Sequence, residues 1–230
     1  MPGSCRPSRW AACLVVVGLA LMNVPAGADD AIGGDMIITK GMKPWEGCGE
    51  CHSLDGVAPN PHFPNLAAQK PAYFRKQMED FRDGKRQNDH GQMGTSSREL
   101  TNEALAKITA YFAGLEPPPA HPPADIGADE RARARRLFEA GSRGEKIPPC
   151  TNCHSDHPKH DFIAACLEAQ PAGYTAKQLQ DFKAGRRAND PDQVMQKIAH
   201  TLSDDDIAAL SVYLAGLAPG TGAACIGAAQ

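Results

Sequence analysis

The sequence predicts an all-α protein that consists of two tandem copies of one small helical domain. Landmarks in the first half of the chain recur in the second half at an offset of 101 or 102 residues. Apolar residues follow helical spacing in several segments, and no alternating strand pattern of any length appears. Between the copies, residues 116–129 are rich in proline, which is typical of a stiff extended linker.

The first segment, residues 1–28, is typical of an export signal. Arg6 and Arg9 precede an apolar stretch over residues 11–22, and Ala26-Gly27-Ala28 has the pattern of a cleavage site. An apolar stretch of this length is short for a membrane anchor. We therefore expect cleavage after Ala28 and export of the mature chain to an oxidising compartment.

The repeat divides the mature chain. We expect an N-terminal domain over residues 29–115, the linker over 116–129 and a C-terminal domain over 130–230. The pairs that match between the copies include Cys48/Cys150, His52/His154, Gln69/Gln170, Tyr73/Tyr174, Met93/Met195 and Leu100/Leu202.

Each copy is predicted to have three main helices and long loops. The sequence predicts first helices over 34–40 and 129–140, and amphipathic second helices over 73–83 and 174–184. Glycines suited to helix C-termini, N-cap residues and apolar pairs spaced as hydrophobic staples mark the helix ends. These are Gly84, Gly185, Gly114 and Gly216, the N-caps Thr101 and Ser203, and the pairs Leu100/Leu105 and Leu202/Ile207.

Composition limits the classes of function. The net charge is −3 at pH 7 with no basic run, which argues against a nucleic-acid-binding protein. No apolar run reaches the roughly 18 residues of a membrane span. Because only 6% of the residues are aromatic, the domains are short of bulky core material. We therefore expect something besides side chains to fill their interiors.

Two CxxCH motifs, Cys48–His52 and Cys150–His154, carry the strongest chemical signal. The two cysteines of such a motif can each form a thioether with a haem vinyl group, and the following histidine is then placed under the iron. Zinc is disfavoured because the cysteine pairs lie about 100 residues apart in separate copies. A thioredoxin-like redox pair would need a βαβ pattern, which is absent. The sequence thus predicts two covalently bound haem c groups.

In these motifs and their order, the chain resembles the class I cytochromes c, and its doubled form resembles the diheme cytochrome c4 family. The resemblance covers about residues 34–218. It rests on the order helix, CxxCH, Pro-x-Leu-Ala-x-Gln, a helix that ends near Gly-x-Arg, a lone Met and a final helix. It implies two cytochrome c domains related by approximate twofold symmetry, with their haem edges near each other.

The expected sixth ligands of the haem irons are Met93 and Met195. Each follows the CxxCH histidine of its copy by 41 residues, and both are predicted to lie in irregular loops before the last helix. In class I cytochromes c the axial methionine comes from that region. We therefore expect the axial pairs His52/Met93 and His154/Met195. Other histidines do not recur at the repeat offset and are expected to be solvated, namely His90, His157, His160 and His200.

The resemblance also implies contacts around each haem. It places the Pro64 carbonyl on the ring N–H of His52, with Ala165 at the matching position of the second copy. Arg86, Arg187, Tyr73 and Tyr174 are candidates for contacts with haem propionates, although solvated arginines and packed tyrosines would explain these residues equally well.

In the mature chain, without Cys5 and Cys13 of the export signal, two cysteines are left over after haem attachment. In an oxidising compartment Cys166 and Cys225 can form a disulfide, and two free thiols are the alternative.

The expected function is electron transfer rather than catalysis. Iron with two protein ligands has no open position for a substrate, and the resemblance implies a periplasmic shuttle from a quinol-oxidising, bc1-type complex to a terminal oxidase. The alternative is a diheme electron-accepting subunit of a periplasmic flavin or molybdenum dehydrogenase. A diheme peroxidase is disfavoured by the matched methionines. We expect redox protein partners and no nucleic acid, with peripheral membrane association and a monomer or loose dimer both left open.

Overall fold

The computed structural model describes residues 43–122, 126–160 and 162–220. Within these ranges the chain is helical and has no β-strand, apart from one isolated bridge between Ser142 and Ile147. The helices are α1 (Glu46–His52), α2 (Pro71–Arg82), α3 (Gln92–Arg98), α4 (Asn102–Ala113), α5 (Ala128–Ala140), α6 (Ala172–Lys183), α7 (Val194–Thr201) and α8 (Asp204–Ala215). The all-α prediction is confirmed.

The second helix of each copy ends where the sequence predicts. Helices α2 and α6 are both followed by a glycine in the left-handed region, with φ of 71° at Gly84 and 70° at Gly185. A residue with a Cβ is disfavoured in this conformation, which is why glycine stops the helix here. The predicted bounds of these two helices agree with the structure to within two residues.

The last helix of each copy is capped by the expected residues. The Thr101 hydroxyl accepts a hydrogen bond from Ala104 N at 3.1 Å, and the Ser203 hydroxyl accepts one from Asp206 N at 3.0 Å. Asp206 also accepts from Ser203 N, which completes a capping box. The apolar pairs predicted as hydrophobic staples are buried, namely Leu100 with Leu105 and Leu202 with Ile207.

The prediction of irregular loops around the two methionines is wrong. Met93 lies in the seven-residue helix α3 and Met195 in the eight-residue helix α7. The Asp89 carboxylate accepts a hydrogen bond from Met93 N, and the Asp190 carboxylate accepts one from Met195 N at 2.7 Å. These carboxylates satisfy backbone donors at the helix starts. The helices were missed because each aspartate acts from four or five residues away, across a left-handed turn at Gly91 or Gln193.

Each half has its own apolar core. In the first half α2 packs against α3 and α4, and in the second half α8 packs against α5 and α6. Phe74, Leu105, Ile108 and Phe112 are among the buried residues of the first core. Leu137, Phe138, Ile207, Leu210 and Leu214 are among those of the second. The described chain thus forms two small helical units.

The remaining predictions for the fold concern the linker and the first helix of each copy. The helix predicted over 129–140 is α5, whereas the one predicted over 34–40 lies outside the described residues. The described part of the linker, residues 116–122, has no helix, and His121 N donates to Ala215 O at 2.9 Å.

Among the described helices, none combines the length and the apolar character that crossing a membrane requires.

The two halves are joined by reciprocal contacts of two buried glutamines. The Gln69 amide donates to Cys166 O at 3.1 Å and accepts from Cys166 N at 2.8 Å. The Gln170 amide makes the same pair of bonds with Asn65, at 2.9 and 3.0 Å. Gln69 and Gln170 occupy matching repeat positions, as do Asn65 and Cys166. A contact in which each partner repeats the other's role has approximate twofold symmetry.

Replacing Gln69 with alanine is expected to weaken the contact between the halves. The change leaves the buried N–H and C=O of Cys166 without their hydrogen-bond partner, which costs about 2 kcal/mol. Urea unfolding of the holoprotein should therefore begin at lower denaturant. The matched control is Gln180→Ala on the exposed face of α6, which we expect to change stability little. Equal stability of the two variants would argue against the glutamine contact as a joint.

Candidate haem sites

The four motif cysteines are unpaired thiols in the structure. Cys48 and Cys51 lie in α1, whereas Cys150 begins a short 3-10 helix, Cys150–Asn152, that Cys153 follows. Burial raises the pKa of Cys48 to about 11 and that of Cys150 to about 12. Catalytic and redox-active cysteines have lowered pKa values, so these thiols do not fit a thioredoxin-like site.

A zinc site is also unsupported. No cluster of three or more His, Cys, Asp or Glu side chains suited to a metal ion occurs within residues 43–122, 126–160 and 162–220. Structural zinc needs four ligands that converge on one point. The CxxCH motifs therefore do not join to form such a centre in the described chain.

The two motif histidines are held in the same way. His52 Nδ1 lies 2.9 Å from Pro64 O, and His154 Nδ1 lies 2.9 Å from Ala165 O. A carbonyl oxygen can only accept, so Nδ1 carries the proton in both rings and Nε2 presents its lone pair. This contact orients an imidazole for metal binding through Nε2. The carbonyl contacts implied by the resemblance are confirmed, including the one from Ala165.

Electrostatics favours the neutral form of both histidines. Burial lowers the pKa of His52, although its hydrogen bond to Pro64 acts in the opposite direction. Burial also lowers the pKa of His154, and the positive charges of Lys70 and Arg187 lower it further. A neutral imidazole is the form that binds a metal ion. The donor set of each half, two thiols and one neutral imidazole, therefore fits a covalently attached haem.

Both candidate methionines are half-buried. Met93 packs against the apolar core of the first half, and Cys48 packs against the same core. The Asp89 and Asp190 carboxylates fix the backbone at the two methionines through the hydrogen bonds that start α3 and α7. Both methionines are thus placed at the same point of their copies by the same kind of contact.

The histidines expected to be solvated are exposed. The structure places all four at the surface, namely His90, His157, His160 and His200. His90 has a φ of 60° in the turn before α3. Surface exposure agrees with the expectation from the sequence that these rings lie outside the sites.

The residues considered for propionate contacts meet at the boundary between the halves. Arg86 Nη2 donates to the Tyr174 hydroxyl at 3.2 Å, and Arg187 Nη2 donates to the Tyr73 hydroxyl at 3.1 Å. Burial raises the pKa of Tyr73, but the guanidinium groups of Arg187 and Arg86 outweigh this effect and lower it overall. Neither arginine is solvated, since each is only 5–6% exposed.

Of the two leftover cysteines, Cys166 is disulfide-bonded. Cys225, the partner considered from the sequence, lies outside the described residues. The alternative of two free thiols is therefore excluded for Cys166. This residue also carries the backbone contact to Gln69, so the disulfide is attached at the boundary between the halves.

Sequence reasoning missed several residues of this boundary. Asn88 donates to Gln178 at 3.0 Å, and Asn189 donates to Gln77 at 3.0 Å. The missed residues recur at the repeat offset of 101, and that recurrence was the available signal. It did not reveal these contacts, because both hydrogen bonds cross from one half to the other.

Comparison with known proteins shows that the chain is similar to cytochromes in both sequence and structure. No protein-family model matches the chain. "Cytochrome c4" of Pseudomonas aeruginosa is 43% identical over 178 residues, which cover 74% of this chain and 83% of that protein. The crystal structure of reduced recombinant cytochrome c4 from Pseudomonas stutzeri has a TM-score of 0.64 at 33% identity, and the match covers 74% of this chain and 93% of that one.

A second group of relatives carries a different name. A protein from Stutzerimonas stutzeri called "Thiosulfate dehydrogenase electron acceptor" is 34% identical over 212 residues, which cover 89% of this chain and 94% of that protein. These names describe the relatives, and both groups are similar to this chain over most of its length.

Proposed function

The chain belongs to the cytochrome c4 family of diheme c-type electron carriers, and from this premise we propose that it moves electrons in the periplasm from a quinol-oxidising complex to a terminal oxidase. Two covalently bound haem c groups supply the redox chemistry, since their iron alternates between Fe(III) and Fe(II). In this proposal the chain itself catalyses no reaction. It binds the haems, orients their ligands and keeps reactants away from the iron.

The proposed iron ligands are His52 with Met93 and His154 with Met195. The observation that best supports them is the matched orientation of the histidines, whose Nδ1 atoms lie 2.9 Å from a backbone carbonyl in both halves. This contact leaves Nε2 for the metal in each case. If these four residues held the two irons, no position would be left for a reactant, and the chemistry that the haems supply would be outer-sphere electron transfer.

The proposed attachment uses Cys48 and Cys51 in the first half and Cys150 and Cys153 in the second. All four thiols are free of disulfides, as thioether formation requires. The raised pKa values of Cys48 and Cys150 disfavour competing thiolate chemistry. We further propose that Arg86, Arg187, Tyr73 and Tyr174 contact haem propionates, which is supported by the burial of both guanidinium groups.

The proposed organisation follows the repeat. Residues 1–28 form the cleaved export signal, residues 29–115 and 130–230 the two haem domains, and residues 116–129 the linker. The separate apolar cores of the two halves support this division. Residues Ala128 and Asp129 at the end of the linker already belong to α5.

A second candidate function is that of an electron-accepting subunit of a periplasmic dehydrogenase. It is favoured by the relative named as a thiosulfate dehydrogenase electron acceptor. Both functions use the same His/Met iron sites and differ only in the electron donor. Stable co-purification with a larger catalytic chain, together with reduction by the substrate of that chain, would support this second function.

The test of the proposed function combines electron delivery with ligand exclusion. The reduced holoprotein should deliver two electrons per chain to membranes that contain a terminal oxidase, because each chain carries two haems. Carbon monoxide should not bind either ferrous haem. Met195→Ala is the positive control, since it opens one iron to carbon monoxide. Ready binding at both haems of the unaltered protein would contradict the proposal.

A further inference from the structure

The loop of residues 162–167 in the second half differs from its counterpart in the first half. It supplies the Ala165 carbonyl, which accepts a hydrogen bond from His154 Nδ1 at 2.9 Å, whereas the matching acceptor in the first half is the Pro64 carbonyl. Proline fixes the backbone φ of its own residue at about −65°, and alanine does not. The second half therefore lacks the local restraint that holds this carbonyl in the first half.

The next position differs in the same direction. The Asn65 side chain accepts from Ala58 N at 2.9 Å and donates to Ala169 O at 2.8 Å, so it binds its own loop and also the other half. Cys166, at the matching position, is disulfide-bonded, and its side chain has neither an N–H group nor an oxygen. The two side-chain hydrogen bonds that fix the first loop therefore cannot form in the second.

The disulfide partner of Cys166 follows by elimination. The four cysteines of the CxxCH motifs are free thiols in the structure. Cys5 and Cys13 belong to the proposed export signal. In the mature chain this leaves Cys225 as the partner.

The described end of the chain lies beside Cys166. Pro219, which is four residues beyond the end of α8, lines a small cavity together with Cys166, Gln69 and two linker prolines, Pro117 and Pro118. Cys225 lies six positions after Pro219. A stretch of that length reaches about 20 Å when it is fully extended. The chain that follows α8 is therefore long enough to bring Cys225 to Cys166.

We propose that a disulfide between Cys166 and Cys225 holds this loop in place and thereby positions the Ala165 carbonyl, which in turn orients His154 as an iron ligand. The bond does in the second half what Pro64 and Asn65 do in the first. It forms by exchange with the disulfide of an oxidant, which is reduced to two thiols while the two cysteines are oxidised. The proposal rests on the proposed function, because His154 has to bind the haem iron.

The bond itself is tested by mass spectrometry of the mature holoprotein, denatured without reductant and treated with an alkylating reagent. No cysteine should be alkylated, because four cysteines form thioethers with haem and the other two form the disulfide. A digest should contain a peptide pair that joins Cys166 to Cys225. Alkylation of these two cysteines, or a different partner for Cys166, would overturn the proposal.

The effect on His154 is tested in Cys225→Ser by NMR and redox titration of the holoprotein. We expect the Nδ1 proton of His154 to exchange with solvent about tenfold faster, because the loop opens more often, and that of His52 to keep its rate. A weaker hydrogen bond makes the imidazole less basic, which favours Fe(II). The Fe(II)/Fe(III) equilibrium of the second haem alone should rise by about threefold, or about 28 mV for a one-electron couple. Ala224→Ser keeps both cysteines and is the matched control.

A rescue variant separates the positioning of His154 from a general effect on stability. Adding Ala165→Pro to Cys225→Ser supplies the restraint of the first half, so the exchange rate and the midpoint should return to their original values. Within the described residues Ala165 N donates no hydrogen bond, so the proline removes none. Cys166→Asn in the same background supplies the other matching residue and should act in the same direction.

An unchanged second haem in Cys225→Ser, equal shifts at both haems, or no rescue by either added substitution would overturn the positioning role. Failure of the proposed function has a different signature, namely carbon monoxide binding or missing methionine signals in the unaltered protein. The two failures can therefore be told apart.

Discussion

Replacing Met93 with alanine is expected to remove half of the near-infrared band that methionine-ligated ferric haem produces. Under the proposed ligation, one of the two irons loses its thioether ligand, whereas the iron of the second half keeps Met195. Neutral thioether sulfur favours Fe(II), so the midpoint of the altered haem should also fall by on the order of 0.1 V, within the roughly 0.8 V range that axial ligands span. The optical spectrum of the oxidised protein and a redox titration measure both effects.

The matched control for this experiment is Met78→Leu. Met78 belongs to the same half, lies on α2 and is buried in the apolar core at 6% exposure. Exchange of methionine for leucine keeps the side-chain volume, so we expect an unchanged band and a stability loss below about 1.5 kcal/mol. A full band in the Met93 variant would reject this residue as a ligand.

Replacing Cys150 and Cys153 together with alanine is expected to reduce the covalent haem content from two groups per chain to one. The second half would then lose its haem. We expect the haem to fill the interior of this half, because the half has few aromatic side chains. We expect a destabilisation of this half by at least about 3–5 kcal/mol, comparable to the largest truncations of packed cores. Mass spectrometry of the denatured protein and haem staining measure attachment, and helical circular dichroism on heating measures stability.

The first half provides the reciprocal experiment. Cys48→Ala with Cys51→Ala should remove the other haem and leave the second half intact, so the two variants should lose complementary parts of the spectrum. The cores are separate in the structure, which is the reason for expecting independent loss. Two covalent haems in either variant would show that these motifs are not the attachment sites.

Local elements of the fold could be predicted from the sequence because their signals are short-range. The ends of α2 and α6 follow from Gly84 and Gly185, and the starts of α4 and α8 follow from Thr101 and Ser203. The prediction failed for α3 and α7, where the stabilising contact comes from a residue more distant in the sequence than a standard N-cap. The caps of α3 and α7 come from aspartates that precede the methionines by four or five residues, and no standard capping pattern describes them.

The candidate sites divide in the same way. The amino-acid sequence alone shows the CxxCH motifs, the repeat and the equal spacing of Met93 and Met195 from their histidines, because haem attachment needs residues that are close together in the chain. The carbonyl contacts of His52 and His154 were predicted from the resemblance alone, and the structure confirms them.

By itself, then, the amino-acid sequence determined that the protein consists of two helical haem-binding units, and it predicted which residues attach the haems. Only the tertiary structure decided that Gln69, Gln170, Arg86 and Arg187 join those units. The physical reason is that most of their partners lie about 100 positions away in the chain. Hydrogen bonds and charge interactions between residues so far apart in the sequence depend on how two folded surfaces meet. No local pattern of residues predicts that geometry.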